Sequence, residues 1–218
     1  MDLVPINKTA RIKSVTECFR LCLRGVELDM DIVDVAFAIA DTVMSVGGMI
    51  AKAVPTHRQC NIEIENNSRN YTLQNPRMYT RRGRCSKPLP PTIGQSSSGE
   101  VEFKKTPNMA CGSIGIFTYD LVDNDTTAAS EQIAVLFKVP FDHNRKSNKY
   151  AVGVFDMGKT CRDLFQDMSK KMDTVFVRGK AKDNGLSYRG EHVTIIATMS
   201  DCHTPVIKVE VRDTDANM

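Results

Sequence analysis

The stretch Ile133–Phe155, "IAVLFKVPFDHNRKSNKYAVGVF", joins two runs of strand-forming residues through a polar segment that sets Arg145, Lys146 and Lys149 in an Asn-Ser-Asn frame. The flanking runs are rich in Val, Ile, Phe and Tyr and read as buried strands. The middle reads as the tip of a loop. A globular protein that places three cations on one loop needs a reason for them.

Working outward, the same two-residue period recurs on both sides. "QCNIEIEN" alternates Cys60, Ile62 and Ile64 inward, and "YTLQ", "GEVEFKK", "GSIGIFTYDL", "EQIAVLFKVPF", "YAVGVF", "DTVFVRG", "HVTIIATMS" and "VIKVEVRD" are further strand candidates. The segments between them, "ENNSRN", "PLPPTIGQSSSG", "DNDTTAAS" and "KDNGLS", have the composition of turns. Short strands in this number within one domain predict a β-sandwich.

Two segments depart from that period. In "GKTCRDLFQDMSKKM" the residues Cys161, Leu164, Phe165, Met168 and Met172 recur at helical spacing, which predicts a short helix near 158–172. Over residues 26–54 the helical pattern is longer. Leu28, Ile32, Val35, Ile39, Val43, Val46 and Ile50 share one side, while Glu27, Asp31, Asp34, Asp41 and Lys52 gather on the other. Pro55 ends it. An apolar stripe of this kind suits plain packing on a sheet, and it equally suits an interface with lipid.

Composition and charge narrow the function. The 218 residues carry a net charge of +3, and residues 1–25 hold five cations against two acids, so that +3 belongs to a basic N-terminal extension and the rest is neutral overall. A nucleic-acid partner is therefore not expected. The seven cysteines are odd in number and scattered, which predicts reduced structural thiols rather than a disulfide or metal framework. His57, His143, His192 and His203 stand apart, with no HExxH, GxSxG or Walker pattern, so no catalytic site, metal or cofactor is expected. Met1 is followed by polar and basic residues rather than an apolar run, which predicts a cytoplasmic protein, or one released by a non-classical route, acting at membranes.

The opening stretch also resembles the corresponding loop of the actinoporins, membrane-inserting cytolysins, through Val139, Pro140, Phe141, Asp142, Asn144, Ser147 and Asn148. "PNMACGSIGIFTYDL", "RQCNIEIENNSRNYTLQNPRMY" and "IIATMSDCHTPVIKVEV" are similar to other parts of that family, the last to its vertebrate members in particular. The resemblance implies a mainly β fold, a sandwich of about ten strands flanked by two α-helices, with residues 1–25 an extension and 26–218 a single domain. It implies a mechanism too. The sandwich docks on a membrane through an aromatic loop and a phosphocholine pocket, and the N-terminal helix then inserts and joins other copies to line a cation-selective pore. Residues 26–54 would extend about 40 Å at 1.5 Å per residue, enough to cross a bilayer with Asp31, Asp34 and Asp41 toward water.

The lipid-binding positions implied by the resemblance carry different chemistry here. Where the family loop has adjacent Trp and Tyr, this chain has Arg145, Lys146, Lys149 and Tyr150, and it contains no tryptophan. Phe165, Ser169 and Lys170 stand where the second helix supplies tyrosines. Arg82 and Lys138 replace serines, Met109 a small apolar residue, and Pro140 is retained. The family's Arg-Gly-Asp is Arg178-Gly179-Lys180. Aromatic faces hold a quaternary ammonium, whereas cations repel it, so weak or absent sphingomyelin binding is expected. "RMYTRRGRCSK" adds Arg77, Arg81, Arg84 and Lys87 on what reads as a neighbouring loop. The combined basic surface suits an anionic lipid head group or a glycan, with self-association on membranes. A non-lytic lectin-like or protein-interaction module is the alternative, and a merely solvated basic loop accounts for the same residues.

Overall fold

The computed structural model describes residues 58–170 and 174–214. Within them twelve strands form two six-stranded sheets. The first sheet, in spatial order, contains β10 (Leu186–Arg189), β11 (Val193–Met199), β12 (Val206–Asp213), β1 (Gln59–Asn66), β5 (Ser97–Lys104) and β3 (Arg84–Lys87). The second contains β4 (Thr92–Ile93), β2 (Tyr71–Arg82), β6 (Ser113–Asp123), β7 (Ala129–Val139), β8 (Lys149–Asp156) and β9 (Phe176–Lys180). All neighbours pair antiparallel except β1 and β12, which run parallel and set the last strand beside the first. The expected sandwich is present, with β3, β4 and β10 as short strands in segments read as loop or turn.

The inner faces form one core. Cys60, Ile62 and Ile64 of β1 and Ile207, Val209 and Val211 of β12 face Phe117, Tyr119, Val135, Phe137 and Tyr150 across the sandwich. Each large apolar side chain so buried contributes about 1.5–3 kcal/mol. β6 and β7 are buried along nearly their whole length, on both faces. Their outer faces lie under the helix α1 (Cys161–Lys170), whose Cys161, Leu164, Phe165 and Met168 close a second core on Ile114, Ile116, Ala134, Leu136 and Ala151. Thr160 caps α1 by accepting from the Asp163 amide at 3.2 Å, and its hydroxyl donates to the Asp163 carboxylate at 2.7 Å.

Two local devices explain where sequence and structure differ. β2 does not stop at Gln74. Pro76 sits in a bulge between Gln74 and Arg77, with Asn75 at φ 51°, and the ladder to β6 resumes beyond it. "RMYTRRGRCSK" is therefore not a loop: its residues continue β2, turn at Gly83 and enter β3. Gly83 has φ 91°, and a Cβ there would lie 2.4 Å from the Lys104 carbonyl oxygen. The helix expected over 26–54, with Asp31, Asp34 and Asp41, and the extension 1–25 lie outside the described residues.

Candidate functional site

The basic residues meet on the outer face of the second sheet, at the end of its strands. Lys138 on β7 pairs with Lys149 on β8, and Lys149 pairs with Lys180 on β9. Partners in a ladder project to the same face, about 5 Å apart, so the three lysines form one row. The same row continues through Ile114 on β6 to Arg82 on β2. Phe137, Val139 and Tyr150 point inward, which fixes the lysines outward.

The row borders a pocket of about 330 Å³ between the end of α1 and the sheet, lined by Lys138, Lys149, Ser169, Arg178, Lys180 and Asp183 among others. Arg178 Nη1 donates to the carbonyls of Met168 and Ser169 at 3.0 and 2.8 Å, which caps the C-terminus of α1 and positions the guanidinium at the pocket wall. The Lys138 ammonium lies 5.6 Å from the ring centre of Phe165. Ser169 Oγ is shielded from solvent and has no hydrogen-bond partner among the described residues. Asp183, the single carboxylate of the lining among the described residues, accepts from the Lys180 amide at 3.2 Å and so closes the β9–β10 turn. Neither Lys149 nor Lys180 forms an ion pair among the described residues.

The loop between β7 and β8 is held rather than loose. Arg58, only 2% exposed, donates through Nε to the carbonyls of Pro140 at 3.2 Å and Phe141 at 2.8 Å and packs over the Phe141 ring. Burial lowers the pKa of Arg58, partly offset by the Asp142 carboxylate. Asp142 accepts from the Asn144 amide at 3.0 Å and lies 3.5 Å from Arg145 Nε. Asn148, wholly buried, donates to the carbonyls of Ser200 and Cys202 at 3.1 and 2.9 Å and ties the loop to the β11–β12 turn. His143 Nε2 lies 3.0 Å from Asp201 Oδ1, and the His143 and His203 rings stand 5.0 Å apart.

The structure separates the sequence-predicted residues into groups. Lys138 and Lys149 join the pocket, while Arg145 and Lys146 lie on the adjoining loop, where the Lys146 amide donates to the Asp142 carbonyl. Pro140 is buried and serves as an anchor through its carbonyl. Tyr150 is not an interfacial aromatic: it is 1% exposed, with its hydroxyl 3.4 Å from the Ala197 carbonyl in the inner core. The strand alternation that turns Lys149 outward turns Tyr150 in. Phe165 likewise belongs to the core beneath α1 and offers no open ring.

Met109, 57% exposed, sits between β5 and β6 and does not line the pocket. Arg77 is spent on Asp120 and Gln132, four residues along the sheet from the lysine row, or about 13 Å. Lys87 pairs with Glu100 at 2.5 Å and, with Arg84, belongs to the other sheet. Arg81 is exposed on β2. The expected single patch is therefore narrower: strand register adds Lys180 and Arg178 to it, while Ser169 enters from the end of α1, at a position the resemblance had singled out.

Comparison with known proteins agrees with this architecture. A family model described as sea anemone cytotoxic protein matches residues 28–210. DELTA-actitoxin-Aas1a of Anthopleura asiatica is 29% identical over 130 residues, 58% of this chain and 57% of that one. Bryoporin of Physcomitrium patens is 30% identical over 90 residues, 41% of this chain and 48% of that one. The chain thus spans about half the length of the curated relatives it matches. Among solved structures, the lipid binding protein Nakanori superposes with a TM-score of 0.55 over 84% of this chain and 81% of its own, at 11% identity, a likeness of fold alone.

Proposed function

The chain belongs to the sea anemone cytotoxic protein family, the actinoporins, and from that membership we propose that it binds membranes through the basic end of its helix-bearing sheet. The reading extends to pore formation, with copies gathering on the bilayer and residues 26–54 inserting to line the channel. The observation that carries the docking surface is the row Lys138–Lys149–Lys180, three cations in register on one face of the sheet. Near an anionic leaflet each such cation contributes about 1 kcal/mol.

Choline recognition is the part of the family mechanism that these residues support least. Tyr150 and Phe165 lie in the two cores, Ser169 carries no ring, and lysines occupy the surroundings. An ammonium head group would meet repulsion without the compensating cation–π attraction.

Vesicle sedimentation and dye release test the reading together. Binding to vesicles of phosphatidylcholine with phosphatidylserine is expected, weakening as salt rises, while sphingomyelin vesicles bind poorly. Dye release from the anionic vesicles supports the pore, and its loss on deletion of residues 26–54 with binding retained assigns the pore to that segment. Binding to sphingomyelin alone overturns the anionic reading, and binding to a sugar array but to no vesicle makes the protein a lectin-like module.

A further inference from the structure

We propose that Met109, at the tip of the β5–β6 loop, is the apolar anchor of the docked protein, entering the acyl-chain region of the bilayer while the lysine row meets the head groups. The proposal rests on the membrane-binding reading and adds to it the hydrophobic contact that charge alone does not supply.

Position gives the first reason. Met78, Met109, Met157 and Val175 are the exposed large apolar side chains among the described residues, and Met109, at 57%, is the most exposed of them. Met157 follows β8 and Val175 precedes β9, at the strand ends remote from Lys149 and Lys180, while Met78 lies within β2. Met109 is placed differently. Its loop, residues 105–112, crosses from the first sheet to the second and enters β6 at Ser113, next to Ile114, which pairs with Lys138. The loop therefore leaves the sandwich at the end where the lysine row stands.

Presentation gives the second. A lone exposed methionine is ordinary on a protein surface. This one is held outward by its backbone. Thr106-Pro107-Asn108-Met109 has Pro in the second place and Asn, at φ 57°, in the third, the pattern of a type II turn, with the Met109 amide donating to the Thr106 carbonyl at 3.4 Å. The Lys105 ammonium donates to the Met109 carbonyl at 2.9 Å, and the Lys105 amide donates to the Arg58 carbonyl at 2.8 Å. At the other end of the loop Gly112 packs so closely on β7 that a Cβ would strike the Val139 carbonyl oxygen. The tip, residues 106–111, carries no charged side chain. Little order is then lost when Met109 enters the bilayer, and no charge is carried into hydrocarbon. Lys105, at the base of the turn, keeps its ammonium at head-group level. An unbranched thioether side chain adapts readily to disordered acyl chains.

The sequence contains no tryptophan, so one introduced indole reports on its own position. The Met109→Trp protein is mixed with vesicles of phosphatidylcholine and phosphatidylserine, with and without brominated acyl chains. Its emission is expected to shift to the blue and to be quenched by the brominated chains, whereas the Met157→Trp protein shows neither effect. The Met109→Gln protein should bind the same vesicles about tenfold more weakly than the wild type, the effect of leaving about half of a methionine side chain in water. That deficit should persist at high salt, where the lysine row is screened. Binding without a shift or quenching in the Met109→Trp protein overturns the anchor and leaves the charged docking surface intact. Equal affinity of the Met109→Gln and wild-type proteins overturns it as well. Quenching of the Met157→Trp protein as deep as that of the Met109→Trp protein means adsorption on the side of the sandwich and likewise overturns an anchor at its end. Failure of the wild-type protein to bind these vesicles overturns the docking reading itself.

Discussion

Lys138 and Lys149 stand directly opposite each other in the β7–β8 ladder, both turned to the outer face of the sheet, with Lys180 next to Lys149 on β9. A directly opposed like-charge pair costs about 0.2–1 kcal/mol. Replacing Lys149 by Thr, a good strand former, is therefore expected to raise stability by about 0.5 kcal/mol in urea unfolding at low salt. The gain should fade as salt screens the row. The same variant should bind anionic vesicles less tightly. An unchanged or lower urea midpoint at low salt would mean that the row is already neutralised within the fold.

How much of this could be read from the chain depends on which contacts decide it. Strand alternation is a local signal, so "QCNIEIEN" and "VIKVEVRD" give β1 and β12 residue for residue. The helical spacing of Cys161, Leu164, Phe165 and Met168 likewise gives α1. Pro76 is a local signal that misleads, because a bulge absorbs it and β2 continues through the basic segment. The site is a matter of register. Lys138, Lys149 and Lys180 become neighbours only when three strands pair, and nothing in the spacing of 138, 149 and 180 announces it. Arg77 shows the converse, since the partner that neutralises it, Asp120, is remote in sequence. Tyr150 follows from alternation that was legible, as Lys149 and Tyr150 cannot both face outward.

Arg58 is expected to be a principal anchor of the β7–β8 loop. Its side chain reaches the carbonyls of Pro140 and Phe141 from the segment before β1, and hydrogen bonds from a charged donor are worth about 1.5–3 kcal/mol each. Part of that is offset by the cost of burying the guanidinium, which lowers its pKa. The Arg58→Met protein should lose about 2 kcal/mol in urea unfolding and become open to proteolysis between residues 141 and 148. Unaltered proteolysis would show that the loop is held from the Asn148 side alone.

Asn148 separates hydrogen bonding from charge at the other end of the loop. Its side-chain amide donates to the carbonyls of Ser200 and Cys202, and its main-chain carbonyl accepts from the Ala181 amide at 2.8 Å. The Asn148→Ala protein leaves two part-buried acceptors without this donor, a loss of about 1–2 kcal/mol. The Asn148→Asp protein is nearly isosteric but sets a carboxylate against those acceptors, and it should lose at least about 3 kcal/mol at neutral pH. The difference should narrow on acidification, when a protonated carboxyl can donate to one carbonyl. If Asp is tolerated as well as Ala, the amide is not the tie between the loop and the β11–β12 turn.

His203 should make the same region sensitive to mild acid. Its ring lies 5.0 Å from that of His143, and its pKa falls below the ordinary 6.5 because burial disfavours the imidazolium, with Arg58 and His143 adding repulsion. The charged groups gathered there are Arg58 before β1, Asp142 and Arg145 on the β7–β8 loop, Lys182 in the β9–β10 turn and Asp201 in the β11–β12 turn. In the unfolded chain His203 titrates near 6.5, so between that pH and its lower folded value the unfolded state binds more protons. Stability then falls as pH drops through 6.5 and levels off below the folded pKa. The His203→Gln protein keeps a polar side chain without the titration, so its urea midpoint should fall less than that of the wild type between pH 7.5 and 5. Parallel curves for the two proteins would place the acid sensitivity elsewhere in the fold.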